Sequence, residues 1–260
     1  MLSWSRILPG RALVGNGTMP EDRKMLVTFT GERYQPVRLH YLVGDRRGLA
    51  RAFQKLNCVK PDPSRPRWVW LYDFEARSLP FPRSFDQIPQ QYRPVVLGSF
   101  LPRGDDRVVL DVRSCERALL AVPFFDQHLP RRVARVTEVE VVNRLFSAEE
   151  SATTPEQIFD RQETTVPDAE GELRAMAEQA AQVADVAERL RVASDLLDAW
   201  SRRPLPEVDR MPIHFYEDGL ASFQLALNVR QIVALQHWLG NAAYSKADAI
   251  RDIMQTPPEA

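Results

Sequence analysis

The chain has 260 residues, of which 44% are hydrophobic, 27% charged and 9% aromatic, a composition that excludes disorder as the main state. The formal net charge is only -1, but residues 1–147 carry 24 basic against 15 acidic residues, and residues 148–260 carry 10 against 20. The two parts therefore have net charges of +9 and -10, which predicts two domains of opposite sign.

Cysteine usage and hydropathy narrow the class of protein further. Cys58 and Cys115 lie far apart, with no C-x-x-C motif and no clustered histidine. This excludes a disulfide scaffold, a zinc finger and thioredoxin-like chemistry, and it favours a reducing, cytoplasmic compartment. No uninterrupted apolar run approaches the roughly 20 residues of a membrane helix, so we expect neither secretion nor a membrane partner.

The chain begins with a predicted mobile tail, residues 1–20, and continues as a predicted basic α+β domain, residues 25–147. The tail lacks acidic residues and contains several glycines and prolines, which disfavour a packed element. After it, β-branched and aromatic residues predict strands over 25–30 and 37–43. A short helix is predicted over 49–57.

The rest of this domain has a more regular pattern. The continuous apolar run 68–72 has the length of a strand that is buried in a sheet. Residues 94–100 and 107–112 are predicted strands of one hairpin. A capped helix over 115–129 and a strand over 131–142 complete the domain. This order of elements indicates the α+β class.

The composition shifts after residue 147 toward serine, alanine, threonine and glutamate, which predicts a domain boundary. Residues 154–203 are predicted to be mainly helical, with one long helix over 171–200, because apolar residues recur there at three- and four-residue spacing. Two interpretations of this apolar stripe remain open: it packs on its own domain, or it forms a seam with another chain. The seam residues would be Leu173, Met176, Val183, Leu190 and Leu197.

Residues 213–255 are predicted to form a strand-helix-helix module. Apolar residues alternate over 222–227, which predicts a half-buried strand, and two capped helices follow. The pattern over 222–254 resembles the ribbon-helix-helix family of dimeric DNA-binding proteins. The resemblance implies that two protomers pair their strands, whose outward side chains enter the DNA major groove. Alternatively, residues 213–216 fold back on the strand as an internal hairpin. The outward side chains belong to Ser222, Gln224 and Ala226.

Four carboxylates support an alternative in which the protein is an enzyme. Two of them directly follow the buried run 68–72, and alternation places both on one side of the strand end, an arrangement that can hold Mg²⁺. A third opens the helix after the hairpin and a fourth lies on the next strand, an order that looks like a ribonuclease H-like fold. The resemblance implies a nuclease with a magnesium cofactor; otherwise the acids are solvated strand ends and a helix-start residue. The four residues are Asp73, Glu75, Glu116 and Glu138.

Arginines and aromatic residues interleave between positions 65 and 100. Aromatic rings that stack on bases and guanidinium groups that meet phosphates suit single-stranded nucleic acid, although any arginine-rich sheet with a solvated face has this pattern. The turn 44–48, Gly-Asp-Arg-Arg-Gly, can also face a phosphate, or its glycines serve turn geometry alone. The candidate nucleic-acid-binding residues are Arg65, Arg67, Arg77, Arg83 and Arg93.

These patterns together predict a non-enzymatic, nucleic-acid-associated protein without cofactor or metal. Residues 25–147 would engage single-stranded nucleic acid or another anionic partner, and residues 154–255 would bind a protein partner or a second copy of the chain. Two alternatives remain: the magnesium-dependent nuclease, and a protein-protein adaptor in which the two charged parts neutralise each other.

Overall fold

The computed structural model of this protein describes residues 23–161 and 169–255. Their central feature is one seven-stranded sheet in which every neighbouring pair of strands is antiparallel. Together with the helices, this sheet confirms the predicted α+β class. In chain order the strands are β1 (Val37–Val43), β2 (Val59–Pro61), β3 (Trp68–Tyr72), β4 (Val95–Arg103), β5 (Arg107–Val112), β6 (Ala134–Val142) and β7 (Val208–Pro212). Across the sheet their order is β2-β3-β4-β5-β1-β6-β7.

Helices lie on both faces of this sheet. Alternate residues of β1, such as Val37 and Leu39, point into the main hydrophobic core, which also contains side chains of the first two helices. Arg38 points to the opposite face and pairs with Asp160, which follows the third helix. In chain order the helices are α1 (Arg46–Lys55), α2 (Cys115–His128), α3 (Pro155–Phe159), α4 (Ala169–Ala181), α5 (Val186–Ser201), α6 (Phe215–Asp218), α7 (Leu220–Trp238) and α8 (Lys246–Gln255).

Several elements form where local sequence patterns predict them. The predicted hairpin is β4 and β5, with Gly104 at a φ of +66° in the turn. Ser114 caps α2, because its side chain accepts a hydrogen bond from the backbone N–H of Arg117. The segment 25–30 differs from the prediction: it makes only isolated bridges, from Met25 and Val27, since no neighbouring strand runs alongside it.

The predicted single helix over 171–200 is wrong, because the chain forms two helices, α4 and α5. Asp185 caps the second helix by accepting a hydrogen bond from the backbone N–H of Glu188 at 2.8 Å. Arg189 donates to the backbone carbonyl of Val183 at 2.9 Å and so stabilises the break. A short acidic residue that bonds its own backbone competes with a continuous helix, which explains the interruption.

The strand predicted over 222–227 is also wrong, because these residues belong to α7. Phe223 and Leu227 are four residues apart, so a helix buries both on one side while Leu225, between them, stays exposed. Positive φ at Gly219, +72°, ends α6 and lets the chain turn into α7. Ser222, Gln224 and Ala226, the residues implied to read DNA, therefore lie on a helix.

The sheet and its core include residues from both sides of the predicted boundary near residue 147. Strand β7 pairs with β6, and Ile213, Phe223 and Leu227 are buried in the same core as α2. Residues 25–147 and the C-terminal elements are thus not separated into two cores. The predicted mobile tail, residues 1–20, lies outside the described residues.

Candidate nucleic-acid interface

Two of the four candidate carboxylates have local structural roles beside β3. Asp73 caps the short 3-10 helix Phe74–Ser78 by accepting a hydrogen bond from the Phe74 backbone N–H. Glu75 accepts hydrogen bonds from the backbone N–H groups of Asn57 and Cys58 at 3.0 and 2.8 Å. Burial raises the pKa of Glu75 and these backbone donors lower it, with a net result of about 2. Its charge is therefore used to hold the connection between α1 and β2.

The other two carboxylates face different elements. Glu116 on α2 accepts a hydrogen bond from Gln231 on α7 at 2.9 Å, and burial raises its pKa. Glu138 on β6 pairs with Arg210 on β7. Within residues 23–161 and 169–255, no three histidine, cysteine, aspartate or glutamate side chains meet as a group that could hold a metal ion. The predicted gathering of the four carboxylates is therefore wrong, because each is bound to a separate neighbour.

The five candidate arginines divide between the two ends of β3. Arg65 and Arg67 precede the strand, where they lie near Glu156 and Asp62 at 3.6 and 2.7 Å. The other three arginines follow it, in the long connection between β3 and β4. Strand β3 separates the two groups of arginines, because its five residues rise roughly 3.3 Å each. We therefore consider only the second group, Arg77, Arg83 and Arg93, as one site.

Two arginines of the second group stack on one buried ring. The guanidinium carbons of Arg77 and Arg93 lie 4.0 and 4.6 Å from the ring centroid of Phe85. Arg93 also donates to the backbone carbonyls of Ile88 and Asp86 at 2.6 and 2.8 Å. Stacking on Phe85 positions both arginines; the hydrogen bonds further hold Arg93, and Asp86 lies 3.6 Å from Arg77.

An exposed aromatic pair borders these arginines. The rings of Phe29 and Tyr92 stack with their centroids 5.1 Å apart, and each residue is 47% exposed. Arg83 donates from its side chain to the Phe29 carbonyl at 3.3 Å, and its backbone N–H donates to Thr30. We call this group the aromatic–arginine surface: Phe29, Arg77, Arg83, Tyr92 and Arg93.

A buried ion pair holds the turn that carries Phe29. Arg117 on α2 pairs with Glu32 at 2.9 Å, and both side chains are almost fully buried. Arg117 also donates to Thr30 at 2.7 Å and to the Leu97 carbonyl at 3.1 Å. These contacts join α2, β4 and the turn 28–32.

Sequence patterns did not indicate Phe29 as a site residue, because its stacking partner, Tyr92, lies far along the chain.

Four of the five predicted seam residues lie on the two helices of an α4–α5 hairpin, and Val183 lies in the break between the helices. The hairpin is antiparallel, since Trp200 near the end of α5 donates to Glu172 at the start of α4. Leu190 is 67% exposed, and exposed apolar side chains continue along both helices. Those exposed side chains belong to Leu173, Val186, Leu190 and Leu197, whereas Met176 and Val183 are half-buried.

Comparison with family models, with curated proteins and with solved structures finds no match to this chain. Among the helices that the structure describes, none combines the length and the apolar character needed to cross a membrane.

Proposed function

We propose that this protein is a non-enzymatic binding protein that engages single-stranded nucleic acid through the aromatic–arginine surface. The observation that carries the proposal is the exposed stack of Phe29 and Tyr92 beside Arg83. Every base has a flat face that can stack on an aromatic ring, and arginines beside the ring can meet the phosphates. A duplex does not offer its base faces, so single strands are the form of nucleic acid that suits this surface.

The fixed positions of the arginines support the same function. Arg77 and Arg93 are held against Phe85, so fewer rotamers are lost when a phosphate is bound. Both cysteines are free and buried, which supports the cytoplasmic location that we propose with this function. The acidic C-terminal part would repel nucleic acid and restrict binding to the basic part of the chain.

Replacing Phe29 and Tyr92 together by alanine should weaken binding of a fluorescein-labelled oligouridylate by about tenfold or more. Base stacking on an aromatic side chain contributes about 1–3 kcal/mol per base. Fluorescence anisotropy at low salt measures the affinity. The Arg83→Ala variant should in addition reduce the slope of log affinity against log salt by about 0.7, the value for one phosphate contact on a single strand.

The matched control is Phe74→Ala, which removes another exposed ring, one that lies near Lys60 on β2. This variant should bind like the wild type. The proposal is wrong if the wild-type protein does not bind the oligonucleotide at low salt. It is equally wrong if Phe74→Ala weakens binding as much as the double substitution does.

We also propose that the α4–α5 hairpin binds a second copy of the chain through its exposed apolar side chains. Leu190→Asp should leave the thermal unfolding temperature unchanged, because Leu190 is mostly exposed, while it reduces self-association in sedimentation velocity. Ala199→Asp places the same charge about half a turn around α5 and serves as the control. If the two variants sediment alike, the apolar stripe is not an interface.

A further inference from the structure

An arginine-rich cavity lies at the end of the sheet where β1 ends and β6 begins. Its volume is about 560 Å³, within the range of roughly 300–1,000 Å³ that is typical of small-molecule sites. Strand register places the cavity at the opposite end of the sheet from the aromatic–arginine surface. Tyr72 pairs with Val95 at the start of β4, and this end of β4 is level with the start of β1, because Gly98 and Val37 both pair with Val112 of β5. The cavity adjoins Val43 at the other end of β1. The residues that define its chemistry are Gly44, Arg131, Arg132, Arg135, Tyr216 and Glu217.

The wall of this cavity is held by backbone contacts. The N–H groups of Gly44 and Asp45 donate to the Val133 carbonyl at 3.0 and 3.2 Å. A Cβ atom at Gly44 would lie 2.6 Å from the Arg132 carbonyl oxygen, so only glycine permits this approach. The hydroxyl of Tyr216 accepts a hydrogen bond from the Val136 backbone N–H at 3.2 Å. The end of β1, the start of β6 and α6 are thereby joined around the cavity.

Positive charge at the cavity is only partly neutralised. Arg131 stacks over Tyr216 at 4.5 Å and lies 3.4 Å from Asp126. Arg132 and Arg135 are exposed, and neither is within 4.0 Å of an acidic group in the described part of the chain. Among the described residues that line the cavity, Glu217 is the one acid. Two arginines without an acidic partner among the described residues therefore line the same cavity.

A further arginine extends this charge across the sheet. Leu42 on β1 lies between Arg107 on β5 and Arg135 on β6 in the strand register. Arg107 is exposed, and no acidic side chain of the described residues pairs with it. It lines a smaller cavity of about 300 Å³ that shares Leu42 with the first. Glu138 also lines this smaller cavity, but it pairs with Arg210, so the guanidinium of Arg107 adds an unpaired positive charge beside the main cavity.

We propose that the cavity binds the phosphate groups of a small anionic molecule. A guanidinium group presents two parallel N–H donors that match two oxygens of a phosphate, and two unpaired arginines can bind a diphosphate together. Arg131, already oriented by Tyr216, supplies additional positive charge. The segment 44–48 is not a turn, because α1 begins at Arg46; of this segment Gly44 lines the cavity, where its backbone approaches the Arg132 carbonyl closely. This site is separate from the aromatic–arginine surface and does not depend on its function.

The test is isothermal titration of the full chain with inorganic pyrophosphate at low salt. We expect saturable binding of one pyrophosphate, and we expect Arg132→Ala with Arg135→Ala to weaken it by about tenfold or more. The control is Arg174→Ala with Arg191→Ala on the α4–α5 hairpin. It also removes two positive charges, but away from the cavity, and should bind pyrophosphate like the wild type.

Three results would overturn the proposal: no saturable binding by the wild type, equal losses in the two double variants, or citrate binding as tightly as pyrophosphate. Equal losses would mean that overall charge attracts the anion, and tight citrate binding would mean that the site does not select phosphate. Oligouridylate binding by the Arg132/Arg135 variant should remain at the wild-type level, which separates this site from the aromatic–arginine surface.

Discussion

Replacing Arg117 by methionine should lower the free energy of unfolding by about 3–5 kcal/mol, which is the typical cost of leaving a buried charge without its partner. Arg117 and Glu32 form an ion pair whose side chains are 1% and 0% exposed. Burial raises the pKa of Glu32, but the combined effect of Arg117 and the hydroxyls of Thr28 and Thr30 is larger and lowers it. The net pKa is below the usual value, so the carboxyl is ionised in the folded protein. Urea denaturation at pH 7 measures the loss.

The effect of this substitution should depend on pH. The pKa of Glu32 is lower in the folded than in the unfolded chain. The ion pair therefore contributes fully above about pH 4.3, the unperturbed value for glutamate, and its contribution is lost as the pH falls through the folded pKa. The difference in stability between wild type and Arg117→Met should accordingly shrink in acid.

Arg113→Met is the matched control, because Arg113 is exposed and lies just before α2. This change should alter stability by no more than about 0.5 kcal/mol. Arg117→Met should also weaken oligouridylate binding, since Arg117 holds the turn that carries Phe29. A loss of stability no larger than that of Arg113→Met would show that the buried pair does not stabilise the fold as we describe.

A fragment of residues 23–147 should fail to fold cooperatively. It would lack β7, which pairs with β6, and four buried apolar side chains that pack on the sheet and its helices. Burial of each such side chain contributes about 1.5–3 kcal/mol, together about 6–12 kcal/mol, which is comparable with the whole stability of a domain. Near-ultraviolet circular dichroism and urea denaturation test this result. The four side chains belong to Val208, Ile213, Phe223 and Leu227.

The control is the full chain with residues 169–201 replaced by a flexible glycine-serine linker. Within residues 171–201 only Ala180 is buried, so this replacement should leave a cooperative unfolding transition. A fragment 23–147 with its own cooperative transition and native near-ultraviolet spectrum would instead establish two independent domains, as the charge distribution predicts.

Local signals were sufficient for the elements whose boundaries are set by neighbouring residues. The hairpin β4–β5 needs only two β-rich runs and a turn. Helix α2 begins where Ser114 caps it. The apolar run of β3 likewise predicts a strand, because it has the length of a strand and four of its five residues are β-branched or aromatic.

Short apolar patterns were insufficient where they fit two structures at once. Phe223, Leu225 and Leu227 alternate as in a strand, but the first and last are also one helical turn apart. Packing of α7 against α2 resolves this ambiguity, since it buries Phe223 and Leu227 and leaves Leu225 exposed. The same contact joins the acidic and basic parts of the chain into one core, although their charge difference predicts two domains.

The sequence by itself determined the α+β class, most of the N-terminal elements and the enrichment of arginines near aromatic rings. Only the tertiary structure decided which of these residues meet: Arg77 and Arg93 on Phe85, and Phe29 with Tyr92. It also separated the four carboxylates, each of which is bound to a different neighbour. Caps, turns and periodic burial depend on residues within a few positions, whereas contacts between distant segments depend on how the whole chain packs.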